Sequence, residues 1–102
     1  MSYSVSDAVY GLVEEVGMWA DKTFPESTPE SMIEHIKREV KELEEADGKK
    51  ELGEEMADIV LILMHLAHRK KIHLYGEIMG KFKVCKERTW GKPDAQGVRR
   101  HV

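Results

Sequence analysis

Residues 49–71 read KKELGEEMADIVLILMHLAHRKK and contain the most apolar part of the chain. From Met56 to Ala67, apolar side chains occupy nearly the whole circumference of a helix, which is typical of a helix buried in a bundle. The longest apolar run, Ile59 to Met64, is far too short to span a bilayer. We therefore expect an all-α protein whose central helix covers residues 49–71. The residues predicted along its innermost line are Leu52, Ile59, Ile62 and Leu66.

The sequence before this stretch predicts two amphipathic helices. The first covers residues 6–22, with Ser6 as its N-cap. The second covers residues 29–46, where Thr28 can cap the helix and Pro29 suits its first position. The apolar positions are Val9, Leu12, Val13, Val16 and Ala20 in the first helix, and Met32, Ile36, Leu43 and Ala46 in the second.

Two further segments follow the central helix. A fourth helix is predicted at residues 74–88. The residues expected on its inward side are Ile78, Met79 and Phe82. Gly91 and Pro93 then break regular structure, so residues 91–102 are expected to form an irregular tail. Neither an interdomain linker nor an internal repeat is found, which predicts a single domain over residues 1–102.

The small size of the chain bears on its assembly. A domain of 102 residues buries only a modest core, which favours oligomerisation. The central helix is also apolar around more of its circumference than one small chain can easily cover. We therefore expect a homodimer or homotetramer, in which the second and third helices pair with those of a partner to complete a four-helix core.

Charge is distributed unevenly along the chain. Residues 39–58 carry nine acidic and three basic side chains, whereas residues 69–102 carry ten basic and three acidic ones. This division disfavours a simple nucleic-acid binder and favours a site where a metal ion meets a polyanion. A single cysteine, Cys85, cannot form an intramolecular disulfide, and no charged segment followed by an apolar one opens the chain. We expect a cytoplasmic protein with neither nucleic acid nor membrane as a partner.

Four acidic residues form two pairs with i to i+3 spacing: Glu39 with Glu42, and Glu55 with Asp58. The two pairs lie on successive predicted helices and are directed towards their apolar faces. Because unpaired carboxylates lose hydration beside a helical core, their convergence predicts a cation between them. Hard oxygen ligands suit Mg²⁺ or Mn²⁺. The alternative interpretation is solvated surface charge, which is common on Glu-rich helices.

The spacing of these pairs resembles the Glu-x-x-Glu and Glu-x-x-Asp signature of the MazG-like all-α nucleoside triphosphate pyrophosphatases. Here the two motifs are EVKE at 39–42 and EMAD at 55–58. In addition, WADKTFP at 19–25 and RTWGKPD at 88–94 are similar to the dATP/dGTP diphosphohydrolase branch of that family. The resemblance covers nearly the whole chain and implies a MazG-like helical bundle.

The resemblance implies hydrolysis between the α- and β-phosphates of a nucleoside triphosphate, with Mg²⁺ as cofactor and a purine deoxynucleotide as the expected substrate. The products would be the monophosphate and pyrophosphate. The carboxylate quartet would hold the metal, and Glu42 is our first choice for the general base. Lys81 and Arg88, on one face of the fourth helix, would contact phosphate oxygens during catalysis.

Further substrate contacts are implied at aromatic positions and at the cysteine. Trp19 matches the position at which relatives hold the nucleobase or sugar, and Phe24 and Trp90 are expected nearby. A core position remains the alternative for both tryptophans. Cys85 shares the helix face of the phosphate-binding residues, but it departs from the family pattern, because relatives usually place Asn there. A thiol is a weaker hydrogen-bond donor than an amide.

Other functional classes are less consistent with the sequence. A di-iron bundle requires Glu-x-x-His, and a P-loop NTPase requires a Gly-rich motif ending in Lys-Ser/Thr; neither occurs. The histidines His35, His65, His68, His73 and His101 show no metal-binding pattern and are expected at surface or satisfied core positions. The remaining alternative is a catalytically silent, metal-binding dimerisation or regulatory protein of the same fold. Magnesium-dependent pyrophosphate release would distinguish the two.

Overall fold

The computed structural model describes residues 4–102, which form four α-helices. These are α1 (Val5–Thr23), α2 (Pro29–Glu45), α3 (Gly48–Lys70) and α4 (Leu74–Glu87). No β-strand occurs in this part of the chain, in which Trp90 and His101 form an isolated β-bridge. The all-α prediction is confirmed, and every predicted helix boundary is within one residue of the observed one. The single domain over residues 1–102 stays a prediction, and its residues 1–3 lie outside the described part.

Local capping explains where α1 and α2 begin. The N-cap of α1 is Ser4, so the prediction of Ser6 is wrong. Ser4 has an acid three residues later: the Asp7 backbone N–H donates to Ser4 Oγ at 3.1 Å, and the Ser4 N–H donates to the Asp7 carboxylate at 3.4 Å. For α2 the predicted Thr28 cap is confirmed, and Ser31 completes the reciprocal pair of hydrogen bonds.

The core lies where α3 packs against both α1 and α2. Its buried apolar residues are Val13, Ala20, Met32, Met64 and Ala67. The predicted innermost line of α3 is partly wrong. Leu52 is 43% exposed, while Met64 and Ala67 are the buried apolar positions of that helix. The difference arises because Met64 and Ala67 pack against Val13 of α1, whereas Leu52 is near the opposite end of α3.

Two residues, 46–47, connect α2 to α3. Gly48 follows with a φ of 86°, a backbone conformation that glycine adopts without the steric cost of a Cβ. This short connection places α2 and α3 side by side along their length. The two acidic motifs are thereby brought onto neighbouring helices.

Helix α4 packs chiefly on α1 and contains no buried residue. The ring of its N-cap, His73, stacks on Tyr10 with 5.5 Å between centroids. The predicted inward side of this helix is wrong for the isolated chain, because Ile78, Met79 and Phe82 are all about half exposed. The physical reason is that, within residues 4–102, α4 packs chiefly on a single helix, α1.

Residues 91–102 form no helix or strand, as predicted, but they fold back on the end of α4. The Trp90 indole Nε1–H donates to the Cys85 carbonyl at 3.0 Å. The Gly91 N–H donates to the Arg100 carbonyl at 2.7 Å, which closes the tail into a loop. In residues 4–102, no helix has the length and apolar character needed to cross a membrane.

Candidate metal and nucleotide site

Three of the four predicted carboxylates converge. Ligand oxygens of Glu39, Glu42 and Glu55 lie within 4.8 Å of one another, between α2 and α3. Asp58 is exposed and lies outside this group, although its charge acts on Glu55. The geometry therefore brings together three members of the predicted quartet and leaves Asp58 at its edge.

The environment of these carboxylates fits a cation. Glu39 Oε2 and Glu55 Oε2 are buried and have no hydrogen-bond partner among the described residues. Burial of the Glu55 carboxyl group, followed by the charge of Glu42 and the proximity of the Glu39 carboxyl group, raises the pKa of Glu55 to about 7. Carboxylates that lie close together repel one another, and buried carboxylate oxygens without partners have lost their hydration. A cation bound between them would offset both costs. The oxygen donors suit a hard divalent cation.

His35 supports this cluster from one helical turn away. Its Nε2 lies 3.2 Å from Glu39 Oε1, the oxygen opposite the orphaned Oε2. A hydrogen bond of this kind fixes the orientation of a ligating carboxylate. His35 was predicted at a surface or satisfied core position; its i to i+4 spacing from Glu39 is the pattern that indicates this contact.

An apolar cavity of about 310 Å³ is lined in part by His35, the residue that contacts Glu39. Trp19 and Phe24 line the same cavity and pack edge to face, with 5.6 Å between centroids and 90° between ring planes. Both rings are exposed by more than two-fifths, so the alternative that Trp19 is a core residue is wrong. Met32 contributes to the cavity from α2 and Ile62 from α3. The cavity can take a flat, largely apolar group.

The predicted phosphate-binding residues lie on a different helix from the carboxylates. Lys81, Cys85 and Arg88 lie on or at the end of α4, which packs chiefly on α1. Among the hydrogen bonds and ion pairs of residues 4–102, none joins these side chains or Trp90 to the acidic cluster. Cys85 is half-buried and Trp90 is 41% exposed.

A second polar cluster between α1 and α3 was missed at the sequence level. Asp21 accepts hydrogen bonds from Arg69 Nε at 3.0 Å and Nη2 at 2.7 Å, and its Oδ1 lies 2.8 Å from His65 Nε2. The hydrogen bond from Arg69, followed by that from His65, lowers the pKa of Asp21. His68 contacts Asp21 and Glu14 at 3.4 and 3.1 Å. The pattern in the sequence that indicates this cluster is the i, i+3, i+4 spacing of His65, His68 and Arg69, which places them on one face of α3.

The second polar cluster restricts the size of the residue at position 17 of α1, because His68 lies against that position. A Cβ on Gly17 would lie 2.1 Å from His68 Cγ, so the close approach of α1 to α3 requires glycine there. His65 is buried and paired and His68 is half-buried and paired, which confirms a satisfied core position for both.

Comparison with known proteins agrees with this fold. The MazG-like pyrophosphohydrolase of cyanophage S-2L, solved bound to dGDP and three catalytic Mn²⁺ ions per active site, superposes with a TM-score of 0.77. The match covers 92% of this chain and 96% of that one at 24% identity. The four helices of this chain therefore have the MazG-like pyrophosphohydrolase fold.

Sequence comparison specifies the family. The model of the dATP/dGTP pyrophosphohydrolase family matches residues 12–102, and the chain belongs to this family. It is 31% identical over 84 residues to a dATP/dGTP diphosphohydrolase of Salmonella phage PMBT28. The aligned region covers 82% of this chain but only 28% of the phage protein. The resemblance inferred from the acidic motifs is thus confirmed.

Proposed function

We propose that this chain hydrolyses purine deoxynucleoside triphosphates to the monophosphate and pyrophosphate, with Mg²⁺ or Mn²⁺ held by Glu39, Glu42 and Glu55. Asp58, one turn from Glu55, would complete the coordination through its own carboxylate or a water. The observation that carries the proposal is the pair of buried carboxylate oxygens without partners, on facing helices of a chain that belongs to the dATP/dGTP pyrophosphohydrolase family.

The carboxylates differ in ways that suggest separate roles. A bound divalent cation would supply Lewis-acid chemistry, neutralising phosphate charge and lowering the pKa of a water. Glu39 and Glu55 each have a buried oxygen, which suits fixed ligands. Glu42 is the exposed member of the cluster, so it can take a proton from an attacking water and pass it to solvent. This exposure favours Glu42 as the general base.

The cavity beside the carboxylates is the proposed nucleobase site. Trp19 and Phe24 offer apolar ring surfaces on which a purine can stack. His35 borders both the cavity and Glu39, so a nucleotide with its base in the cavity would have its phosphates near the carboxylates. The S-2L relative binds dGDP together with metal ions, which supports a nucleotide as the ligand of this fold.

Assembly with a second copy is part of the proposal. The outer sides of α2 and α3 expose Ile33, Val40, Met56, Val60 and Leu63. Pairing these surfaces between two copies would complete a four-helix core. In such a dimer or tetramer, α4 of one copy would approach the carboxylates of the other copy. The residues supplied in this way would be Lys81, Cys85, Arg88 and Trp90. Arg88 would then bind phosphate oxygens bidentately, and Lys81 would stabilise the departing pyrophosphate.

The proposed cellular location is based on the single cysteine and on the proposed substrates. We place the protein in the cytoplasm, because its one thiol, Cys85, fits a reducing compartment and its proposed substrates are deoxynucleotides. Nucleic acid and membrane are not proposed as partners.

Pyrophosphate release from dATP, dGTP, dCTP and dTTP tests this function. We expect release from the purine substrates with Mg²⁺ or Mn²⁺ and none with EDTA. Labelling the solvent with ¹⁸O should place the new oxygen on one of the products and so verify cleavage by water. Metal binding without any release of pyrophosphate would instead support a catalytically silent regulatory protein of the same fold.

A further inference from the structure

His65 is the buried polar residue of the core, with an exposure of 6%. It is also part of the lining of the cavity proposed for the nucleobase. A buried imidazole in a mostly apolar cavity can recognise the hydrogen-bonding groups of a ligand, provided that its tautomer is fixed.

Asp21 and Arg69 fix the tautomer of His65. Asp21 Oδ1 lies 2.8 Å from His65 Nε2 and accepts two further hydrogen bonds from the Arg69 guanidinium. The third guanidinium nitrogen, Nη1, donates to the Ser27 carbonyl at 2.7 Å, so Arg69 is itself held in place. Because the hydrogen bond from Arg69 lowers the pKa of Asp21, this carboxylate is an acceptor, and Nε2 of His65 carries the proton.

The other ring nitrogen of His65, Nδ1, is available for a hydrogen bond with a ligand. Among residues 4–102, no group forms a hydrogen bond with its Nδ1. His65 lines the nucleobase cavity, whereas Asp21, the partner of its Nε2, does not. From this we infer that the ring edge that carries Nδ1 is the one directed to the cavity. In a neutral imidazole protonated at Nε2, Nδ1 is a hydrogen-bond acceptor with a fixed direction.

The other polar side chains of the cavity do not offer an equivalent buried acceptor. The Ser31 hydroxyl donates to the Thr28 carbonyl and accepts from the Thr28 N–H. His35 is exposed and directs its Nε2 to Glu39. The Ser27 hydroxyl can rotate, so it does not select a donor over an acceptor.

We propose that His65 is a specificity-determining residue whose Nδ1 accepts a hydrogen bond from an exocyclic amine of the purine base. The proposal rests on the proposed function, because it places the base in the cavity beside the carboxylates. Asp21 and Arg69 act as positioning residues that orient the ring and place the Nε2–H of its neutral form on Asp21. A bound base without an exocyclic amine would cover this acceptor without pairing it and is therefore disfavoured.

Substrate pairs that differ only by the amine test the proposal. dATP is compared with the triphosphate of purine 2′-deoxyriboside, which lacks the 6-amino group, and dGTP is compared with dITP, which lacks the 2-amino group. We expect kcat/KM to fall by about tenfold in at least one pair, mostly through KM, because the loss of one hydrogen bond to a buried partner is worth that factor. Differences below about twofold in both pairs would overturn the proposal.

Two matched variants assign the effect to His65. His65→Gln keeps an N–H near the position of Nε2 for Asp21 but has no acceptor at the position of Nδ1, so the penalty for losing the amine should disappear. His68→Gln alters the other histidine that contacts Asp21 and lies outside the nucleobase cavity, and should keep the penalty. A penalty that persists in His65→Gln, or that disappears equally in His68→Gln, contradicts the assignment.

A spectroscopic measurement on the wild type covers the case in which His65→Gln does not fold. In protein labelled with ¹⁵N-histidine, the Nδ1 resonance of His65 should shift when the α,β-imido analogue of dATP or dGTP binds with Mg²⁺, as expected for a nitrogen that begins to accept a hydrogen bond. Purine analogues without the amine should not cause the shift. An unchanged Nδ1 resonance in the bound state would refute the proposal.

Failure of the function and failure of this inference give different results. If the wild type binds dATP or dGTP in calorimetry but releases no pyrophosphate, only the proposed reaction is wrong, and the amine comparison proceeds on dissociation constants. If pyrophosphate is released equally from substrates with and without the amine, only the role of His65 is wrong.

Discussion

At the scale of single residues, both burial and neighbouring negative charge oppose ionisation of the Glu55 carboxyl group. Its carboxyl group has a buried oxygen without a partner, and the carboxylates of Glu42, Glu39 and Asp58 all oppose its ionisation. A divalent cation reverses each of these effects, because it attracts the same charges that repel one another. Metal binding at the proposed site would therefore be coupled to loss of the Glu55 proton.

This coupling predicts how the stability of the metal-free protein depends on pH. The pKa of Glu55 rises from an ordinary 4.5 to about 7 in the folded protein. The folded state therefore holds the proton more tightly than the unfolded state, and this stability is fully present below pH 4.5 and is lost as the pH rises through 7. Thermal unfolding in EDTA should show the decline in the wild type, and it should be weaker in Glu55→Gln. Identical pH profiles of the two proteins would contradict the prediction.

Removal of the Glu55 charge should weaken metal binding without destabilising the fold. We expect Glu55→Gln to lower Mn²⁺ affinity and kcat/KM by at least about a hundredfold, more than the loss of a supporting outer contact. Its metal-free fold should be as stable as the wild type or more stable, because repulsion is relieved. Glu54→Gln is the matched control, since Glu54 is exposed and pairs with Lys50 on the surface. The control should change both quantities by no more than about twofold, as measured by calorimetry and pyrophosphate release.

At the scale of secondary structure, the contact between α1 and α3 depends on glycine at position 17. The His68 ring occupies the space that a side chain at this position would fill. His68 in turn pairs with Glu14 and Asp21, so the polar cluster and the helix packing constrain each other.

Two glycines on α1 give a controlled test of this packing. Gly17→Ala should destabilise the protein by about 1–3 kcal/mol, because the new methyl group overlaps the His68 ring and must displace it. Gly11→Ala, on the same helix with no atom within 4 Å of the added Cβ, should instead stabilise it by up to about 1 kcal/mol through helix propensity. Urea unfolding of both variants measures the difference. Equal effects of the two substitutions would show that the contact with His68 is unimportant.

At the scale of the whole molecule, the chain is more extended than a self-contained domain. Its radius of gyration is 16.1 Å, whereas a compact domain of this length has about 13 Å. Helix α4 leaves Ile78, Met79 and Phe82 about half exposed. Apolar surface of this extent on a small chain favours association with another copy.

The exposed surfaces predict the mass of the protein in solution. At micromolar concentration, light scattering should give a dimer or tetramer. Phe82→Glu should lower the mass or weaken the assembly, because a charge is introduced on the exposed apolar side of α4. Lys83→Glu, one residue further along, changes charge outside this apolar group and is the control. An active wild-type monomer would refute the predicted assembly.

Most of the secondary structure and the acidic pair motifs could be predicted because the relevant signals are local. Apolar periodicity and the Thr28 cap placed the helices, and i to i+3 spacing placed Glu39 with Glu42 on one helical face. The error at the start of α1 also has a local cause. Ser4, unlike Ser6, has an acid three residues later that completes the cap.

The amino-acid sequence by itself determined the four helices, the family and the carboxylates that meet between α2 and α3, since each depends on neighbouring residues or on two helices joined by two residues. Only the tertiary structure decided that Asp21 would contact His65, 44 positions away, and that Gly17 would face His68. It also decided that α4 would leave its apolar side uncovered. These features depend on which helices pack together and at what distance, and no local pattern of residue types encodes that choice.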